Sequence, residues 1–173
     1  KLKYTLQIIE NKKSMVGVNT HLTNKIVLEA LEENSIKELK NLDNIKSEVK
    51  FGKNTRFDFL ISKNNKKIFV EVKNVTLSRK KGVAEFPDAV TARGLKHISE
   101  LINASKRGFE TYLLFLIQRN DCNQFKIAQD IDPDYYKLLT EAAKKKLNII
   151  CYDCKFSPKG IKLNKNIKFK LNE

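Results

Sequence analysis

The stretch from Arg56 to Lys73 constrains this chain more than any other. It reads Arg56-Phe57-Asp58-Phe59-Leu60-Ile61-Ser62, then Lys63-Asn64-Asn65-Lys66-Lys67, then Ile68-Phe69-Val70-Glu71-Val72-Lys73. β-Branched and aromatic runs around an Asn/Lys cluster mark two strands joined by a polar turn. Strand side chains alternate, so Glu71 and Lys73 share one face while Ile68, Val70 and Val72 share the other. Asp58 lies between Phe57 and Phe59 and is expected to point away from both. In-register pairing then sets Asp58 beside Glu71, with Lys73 one pleat along. Two carboxylates about 4 Å apart repel by roughly 4 kcal/mol at an effective dielectric near 20. Such a pair needs a proton, a cation or a lysine to persist, and a metal-dependent phosphodiesterase site would meet that need.

The flanking segments supply the remaining layers. Tyr4–Ile9 and Met15–Asn19 read as a β-hairpin. Ile26, Val27, Ala30 and Leu31 recur at helical spacing and predict a helix capped near Asn24 and running to about Glu33. Glu29 falls at the edge of that buried face, either a solvated flank or an inward ligand. After a connecting segment from Ile36 to Leu42, Ile45–Phe51 predicts a strand, and Gly52-Lys53-Asn54 a turn into the central stretch. Beyond Lys73 the apolar pattern stops, so Thr76–Glu85, with Arg79-Lys80-Lys81-Gly82, reads as an exposed basic loop that could hold phosphates or simply be solvated. Pro87-Asp88 precedes a second helix with a stripe of Val90, Leu95, Ile98, Leu101, Ile102 and Ser105, ending at Lys106-Arg107-Gly108. Arg93 and Lys96 lie early in it, where a helix N-terminus attracts phosphate; His97, alone, reads as a surface or packing residue before a general base. The apolar run through Thr111–Ile117 suits a strand buried on both faces, hence a sheet covered by helices. Asp132-Pro133 starts a third helix, Leu147–Tyr152 forms another strand, and the Lys-alternating tail Phe156–Leu171 reads as a charge-guarded edge strand. The expectation is one α/β domain over residues 1–173, a mixed central sheet flanked by helices.

Charge bears on the partner. Against 20 Asp+Glu stand 34 Lys+Arg, a net charge of +14 and a pI near 9.7. That is a footprint for a polyanion, nucleic acid first, although a lysine-rich proteome also produces such surfaces. With no membrane-length apolar run and no signal-peptide pattern, a cytoplasmic protein is expected. The chain opens on Lys1 rather than Met, as a piece of a longer protein would. Cys151-Tyr-Asp-Cys154 has the spacing of a metal or redox pair, but residues three apart on a strand face opposite ways and no second pair completes a zinc site.

By itself Glu71-Val72-Lys73 is a weak E-x-K; its context gives it value, since an acid lies in the preceding strand and another in the preceding helix. This order resembles the PD-(D/E)xK nuclease superfamily. The wider text resembles the sugar fermentation stimulation protein A family in Val18-Asn19-Thr20, Arg56–Leu60, Val70–Leu77, the block from Phe86-Pro87-Asp88 to Lys96-His97, Phe115–Arg119 and Ile131-Asp132-Pro133. The resemblance implies a restriction-endonuclease-like core and a cytoplasmic DNA-binding protein tied by name to sugar (maltose) metabolism. It also implies an N-terminal OB-like domain, for which this chain has no residues.

For the site, the resemblance implies one or two Mg²⁺ or Mn²⁺ ions held by Asp58, Glu71 and the Val72 carbonyl. Lys73 would orient water and stabilise charge on the phosphate, Glu29 would complete the shell through water, and Gln118 would position substrate or solvent. Arg56, Arg79, Lys80, Lys81, Arg93, Lys96, His97 and Arg119 are the expected DNA contacts, to double or single strands with little sequence preference. The alternative is a non-catalytic DNA-binding regulator that keeps the nuclease fold. A small-molecule enzyme of sugar metabolism finds no phosphate-cradling Gly-rich loop to support it.

Overall fold

The computed structural model describes residues 3–11, 14–53, 55–169 and 171. Parts of two expected turns, at Lys12, Lys13 and Asn54, lie outside the described residues, as does Lys170 of the tail. The chain opens with β1 (Ile8–Asn11) and β2 (Ser14–Gly17), then a 3₁₀ turn at Thr20–Leu22 and α1 (Thr23–Glu32). There follow β3 (Asn44–Phe51), β4 (Thr55–Lys63), β5 (Lys66–Val75), β6 (Leu77–Lys80) and β7 (Val83–Phe86). α2 (Ala92–Lys106), β8 (Glu110–Ile117), β9 (Gln124–Ile127), α3 (Pro133–Lys144), β10 (Asn148–Ser157) and β11 (Gly160–Asn166) complete the order.

The main sheet runs β11-β10-β8-β5-β4-β3. β8, apolar from Tyr112 to Ile117 and buried from Thr111 onward, is its axis, parallel to β5 on one side and β10 on the other. A strand can be apolar on both faces only when both are covered. α2 and α3 cover one face over a core that includes Phe69, Leu113, Phe115 and Ile98; α1 covers the other over Val70, Val72, Leu114 and Ile26. This is the mixed α/β sheet flanked by helices on both faces that the strand and helix periods predict. The β4–β5 turn is tight because Asn64 and Asn65 both take positive φ (48° and 62°), the conformation a two-residue hairpin needs and one Asn tolerates. Asp132 caps α3 by accepting from the Tyr135 amide, at the Asp-Pro pair. β11 is the edge strand anticipated from the tail.

Three local expectations are corrected. Thr76–Glu85 is not a loop: β6 and β7 pair there, and β7 adds β9 in parallel to make a three-stranded sheet. Val83 and Ala84 are buried in it, and the distant segment Gln124–Ile127, which carries little strand signal of its own, supplies the ladder. α1 is not capped by Asn24. The cap position is Leu22 without a side-chain bond, while Asn19 caps the preceding 3₁₀ turn. Val90 does not belong to the α2 stripe, being 73% exposed ahead of the helix, where Thr91 is the cap.

The cysteines follow the strand period: buried Cys151 belongs to one core and buried Cys154 to the other. Among the described residues no helix is long and apolar enough to cross a membrane.

Candidate acid site at the fork of the central sheet

β4 and β5 pair from Lys63↔Lys66 to Phe59↔Val70, and there the ladder stops. On the other side of β4 the pairing with β3 skips Asp58, opposite Glu48, which takes a positive φ of 55°. The pleat breaks at this level. Phe59 packs in the α1-side core and Phe57 in the α2/α3-side core, so Asp58 does not simply point away from both, as alternation predicts. It sits at the parting of the two strands. There the Val72 amide, past the end of the β4–β5 ladder, donates to Asp58 Oδ2 at 2.7 Å, and Asn24 Nδ2 on α1 donates to Oδ1 at 2.7 Å.

Glu71, only 2% exposed, lies beside it on β5. Its Oε1 accepts from Lys73 Nζ at 2.7 Å and from His97 Nδ1 on α2, while its Oε2 is buried with no hydrogen-bond partner. The two acids are driven in opposite directions. Burial, and next the Glu71 charge, push Asp58 up to about 6, against the bonds from Val72 and Asn24. Burial alone would raise Glu71 too, but the His97 hydrogen bond and the Lys73 charge hold it below the usual carboxylate range.

A divalent cation suits this chemistry. A buried carboxylate oxygen without a donor is costly, and an acid whose ionisation is resisted by its neighbour gains from a positive charge. The donors are hard oxygens, as Mg²⁺, Mn²⁺ or Ca²⁺ prefer. Among the described residues no three His, Cys, Asp or Glu side chains form a metal cage. A cation here would therefore be held by two carboxylates, a backbone carbonyl and water, a set typical of Mg²⁺.

The structure gathers only part of the expected set. Asp58, Glu71 and Lys73 come together, and His97, expected as a surface DNA contact, is buried against Glu71 instead. Glu29 does not join them: its carboxylate pairs with Lys162 at 2.7 Å on the outer side of α1. Gln118 is fully buried and donates to Thr23 Oγ1 (2.9 Å) and Asn74 Oδ1 (2.7 Å), tying β8 and β5 to the start of α1 rather than reaching the acids. A Cβ on Gly17 would stand 2.4 Å from its Oε1.

Two expected DNA contacts have their guanidinium groups committed elsewhere. Arg79 is forked between Glu85 and Asp130, and Arg119 holds Asp121 and the Thr76 carbonyl. Lys80 and Lys81 are exposed at the β6–β7 turn. Arg93 borders both the cleft that contains Asp58 and Asn24 and the adjoining one lined by Arg56, Lys96 and His97, which places it at the rim of the cleft that Asp58 lines. Arg56 also pairs with Glu48 at 3.7 Å, both side chains exposed.

Asn24 and His97 are the members undervalued from sequence. Asn24 has the look of a helix cap. His97 shares an i, i+3, i+4, i+7 stripe with the buried Gly94, Ile98 and Leu101, and that spacing was the signal of its inward aim.

Residues 21–160 match the family model described as the sugar fermentation stimulation protein RE domain. The sugar fermentation stimulation protein homolog of Pelagibacter ubique is 56% identical over 168 residues, covering 97% of this chain and 72% of that protein. The homolog of Paramagnetospirillum magneticum is 42% identical over 174 residues, 100% of this chain and 73% of its own. Among solved structures, Pyrococcus furiosus SfsA in complex with Ca²⁺ superposes with a TM-score of 0.88 at 28% identity, over 96% of this chain and 72% of that one.

Proposed function

The chain belongs to the sugar fermentation stimulation protein family, and from that membership and the forked acid pair we propose that it binds DNA through the phosphate backbone and carries a divalent-cation phosphodiester site. One observation carries the reading: the buried, unpartnered Oε2 of Glu71 beside an Asp58 whose ionisation burial and Glu71 oppose. The Ca²⁺ complex of the Pyrococcus furiosus relative agrees with it.

Asp58, Glu71 and the Val72 carbonyl would hold Mg²⁺ or Mn²⁺. When bound, the cation supplies polarisation of a phosphoryl oxygen and a lowered pKa for coordinated water. Asn24 and the Val72 amide donate to the two oxygens of Asp58 and so hold its carboxylate in one orientation. The Lys73 ammonium, 2.7 Å from Glu71 on a flexible stem, would donate to the phosphate where negative charge develops. Arg93, shared by the two clefts, would draw the backbone toward the acids, aided by Arg56 and Lys96.

A second reading, DNA binding without turnover, is favoured by Lys73 being engaged with Glu71 rather than projecting into the cleft. Incubation with plasmid and single-stranded DNA in Mg²⁺ or Mn²⁺, beside Asp58→Ala and Lys73→Ala, separates the two. Cleavage lost in both variants is the expected result. Cleavage that survives either substitution would remove the site assignment, and binding without cleavage would establish the second reading.

A further inference from the structure

We infer that His97 is the positioning residue of this acid site, pinning one oxygen of Glu71 so that the other faces the cation while Lys73 is released to phosphate. The inference rests on the cation-site reading above. Both donors to Glu71 converge on Oε1, and none reaches Oε2. His97 Nδ1 cannot donate to a carboxylate and accept from an ammonium at once, so the proton on Nδ1 points to Glu71. The 3.4 Å approach of Lys73 Nζ to Nδ1 is then a contact between two donors. Oε1 thus has a duplicate donor.

The two donors differ in stiffness. Lys73 is a four-carbon stem with a rotatable ammonium and is the group able to change partner. His97 is 6% exposed on the inner stripe of a 15-residue helix. That helix lies so close to α3 that a Cβ on Gly94 would stand 2.9 Å from the Tyr135 ring. His97 cannot follow the substrate. When Lys73 turns to a phosphate, Oε1 keeps its bond from His97, Glu71 keeps its rotamer, and Oε2 stays aimed where the cation binds. Without His97, Lys73 alone would have to hold the carboxylate and serve the phosphate. Hydrogen-bond partners of ligating carboxylates are worth about 10–100-fold in metal affinity.

Titration calorimetry with Mg²⁺ and with Ca²⁺, in the absence of DNA, tests this on the parent chain, His97→Ala, His97→Asn and Lys73→Met, with melting curves to verify folding. His97→Ala should bind about 10–100-fold more weakly. His97→Asn, whose side-chain amide nitrogen stands near the Nδ1 position, should recover most of the affinity. Lys73→Met should bind no more weakly than the parent, because a neighbouring positive charge is gone and His97 remains. Should His97→Ala fail to fold, the asparagine and methionine variants still decide. Parent-like affinity in His97→Ala, an asparagine variant as weak as the alanine one, or a large loss in Lys73→Met overturns the inference and leaves the cation site standing. A parent chain that takes up neither ion overturns the cation site, and the inference with it.

Discussion

Asp58→Asn should stabilise the cation-free protein at neutral pH while abolishing its cation site. Asp58 is pushed from an ordinary 3.8 up to about 6, chiefly by burial and then by the Glu71 charge. An acid whose folded-state pKa is raised holds its proton in the folded state after the unfolded chain has released it. Between about pH 3.8 and 6 the folded protein binds more protons, so stability falls as pH rises through that window and then stays low. At about 1.4 kcal/mol per pH unit the rise corresponds to roughly 3 kcal/mol by neutral pH. A neutral amide at this position avoids that cost. It can accept from the Val72 amide through its oxygen and donate to Asn24 once the Asn24 amide is turned over. Weaker, uncharged hydrogen bonds offset about 1 kcal/mol of the gain. The net expectation is a stabilisation of about 2 kcal/mol near pH 7.5, or roughly 4–8 °C in Tm for a domain of this size. The advantage should shrink toward pH 4. Urea unfolding of both proteins across pH 4–8, in chelator, measures it. Excess Mg²⁺ should raise the stability of the parent and leave the variant unmoved. Parallel stability curves, with no narrowing at low pH, would refute the reasoning about burial and Glu71.

Glu71→Ala strands Lys73 and His97 without their carboxylate and should cost about 3–5 kcal/mol in urea unfolding near neutral pH; a loss under 1 kcal/mol would mean the cluster is less buried than described. Arg93→Ala should lower the salt slope of duplex DNA binding by about 0.9, the signature of one phosphate contact. Arg79→Ala, whose guanidinium is committed to Glu85 and Asp130, should leave that slope in place, and the reverse pattern would move the DNA track to the β6–β7 hairpin. Gly17→Ala drives a methyl group against the Gln118 amide and should cost about 1–3 kcal/mol, read from the denaturation midpoint. An unchanged midpoint there would show that Gln118 is not needed to tie β8 and β5 to α1.

The central hairpin was legible because its signals are local. Asn64-Asn65 can take the positive φ values of a tight turn, and period-2 alternation sorts Ile68, Val70 and Val72 from Glu71 and Lys73. The same alternation separated Cys151 from Cys154. It failed at Asp58, where the pleat breaks opposite Glu48 and the flanking phenylalanines enter different cores. No spacing rule reports such a break. Charge counting found the basic surface but could not tell Arg93, at the cleft, from Arg79 and Arg119, held in ion pairs. For Glu29 the spacing left both an outward and an inward aim open, and the partner that drew it outward, Lys162, lies far along the chain.

What the amino-acid order determined by itself is therefore the strand that bears Glu71 and Lys73, the acid in the strand before it, the helices around them, and the family. The strands and helices follow from contacts within a few residues, where period and turn chemistry act directly, and the family from the resemblance of motifs spread from Val18 to Pro133. Only the tertiary structure decided that Asp58 enters the fork, that Asn24 and Val72 hold it there, and that His97 rather than Glu29 completes the cluster. Those outcomes depend on where strands part and how α1 and α2 pack over the two faces of the sheet. The ionisation of each acid then depends on the dielectric and donors that this packing brings to it, which no local stretch of sequence contains.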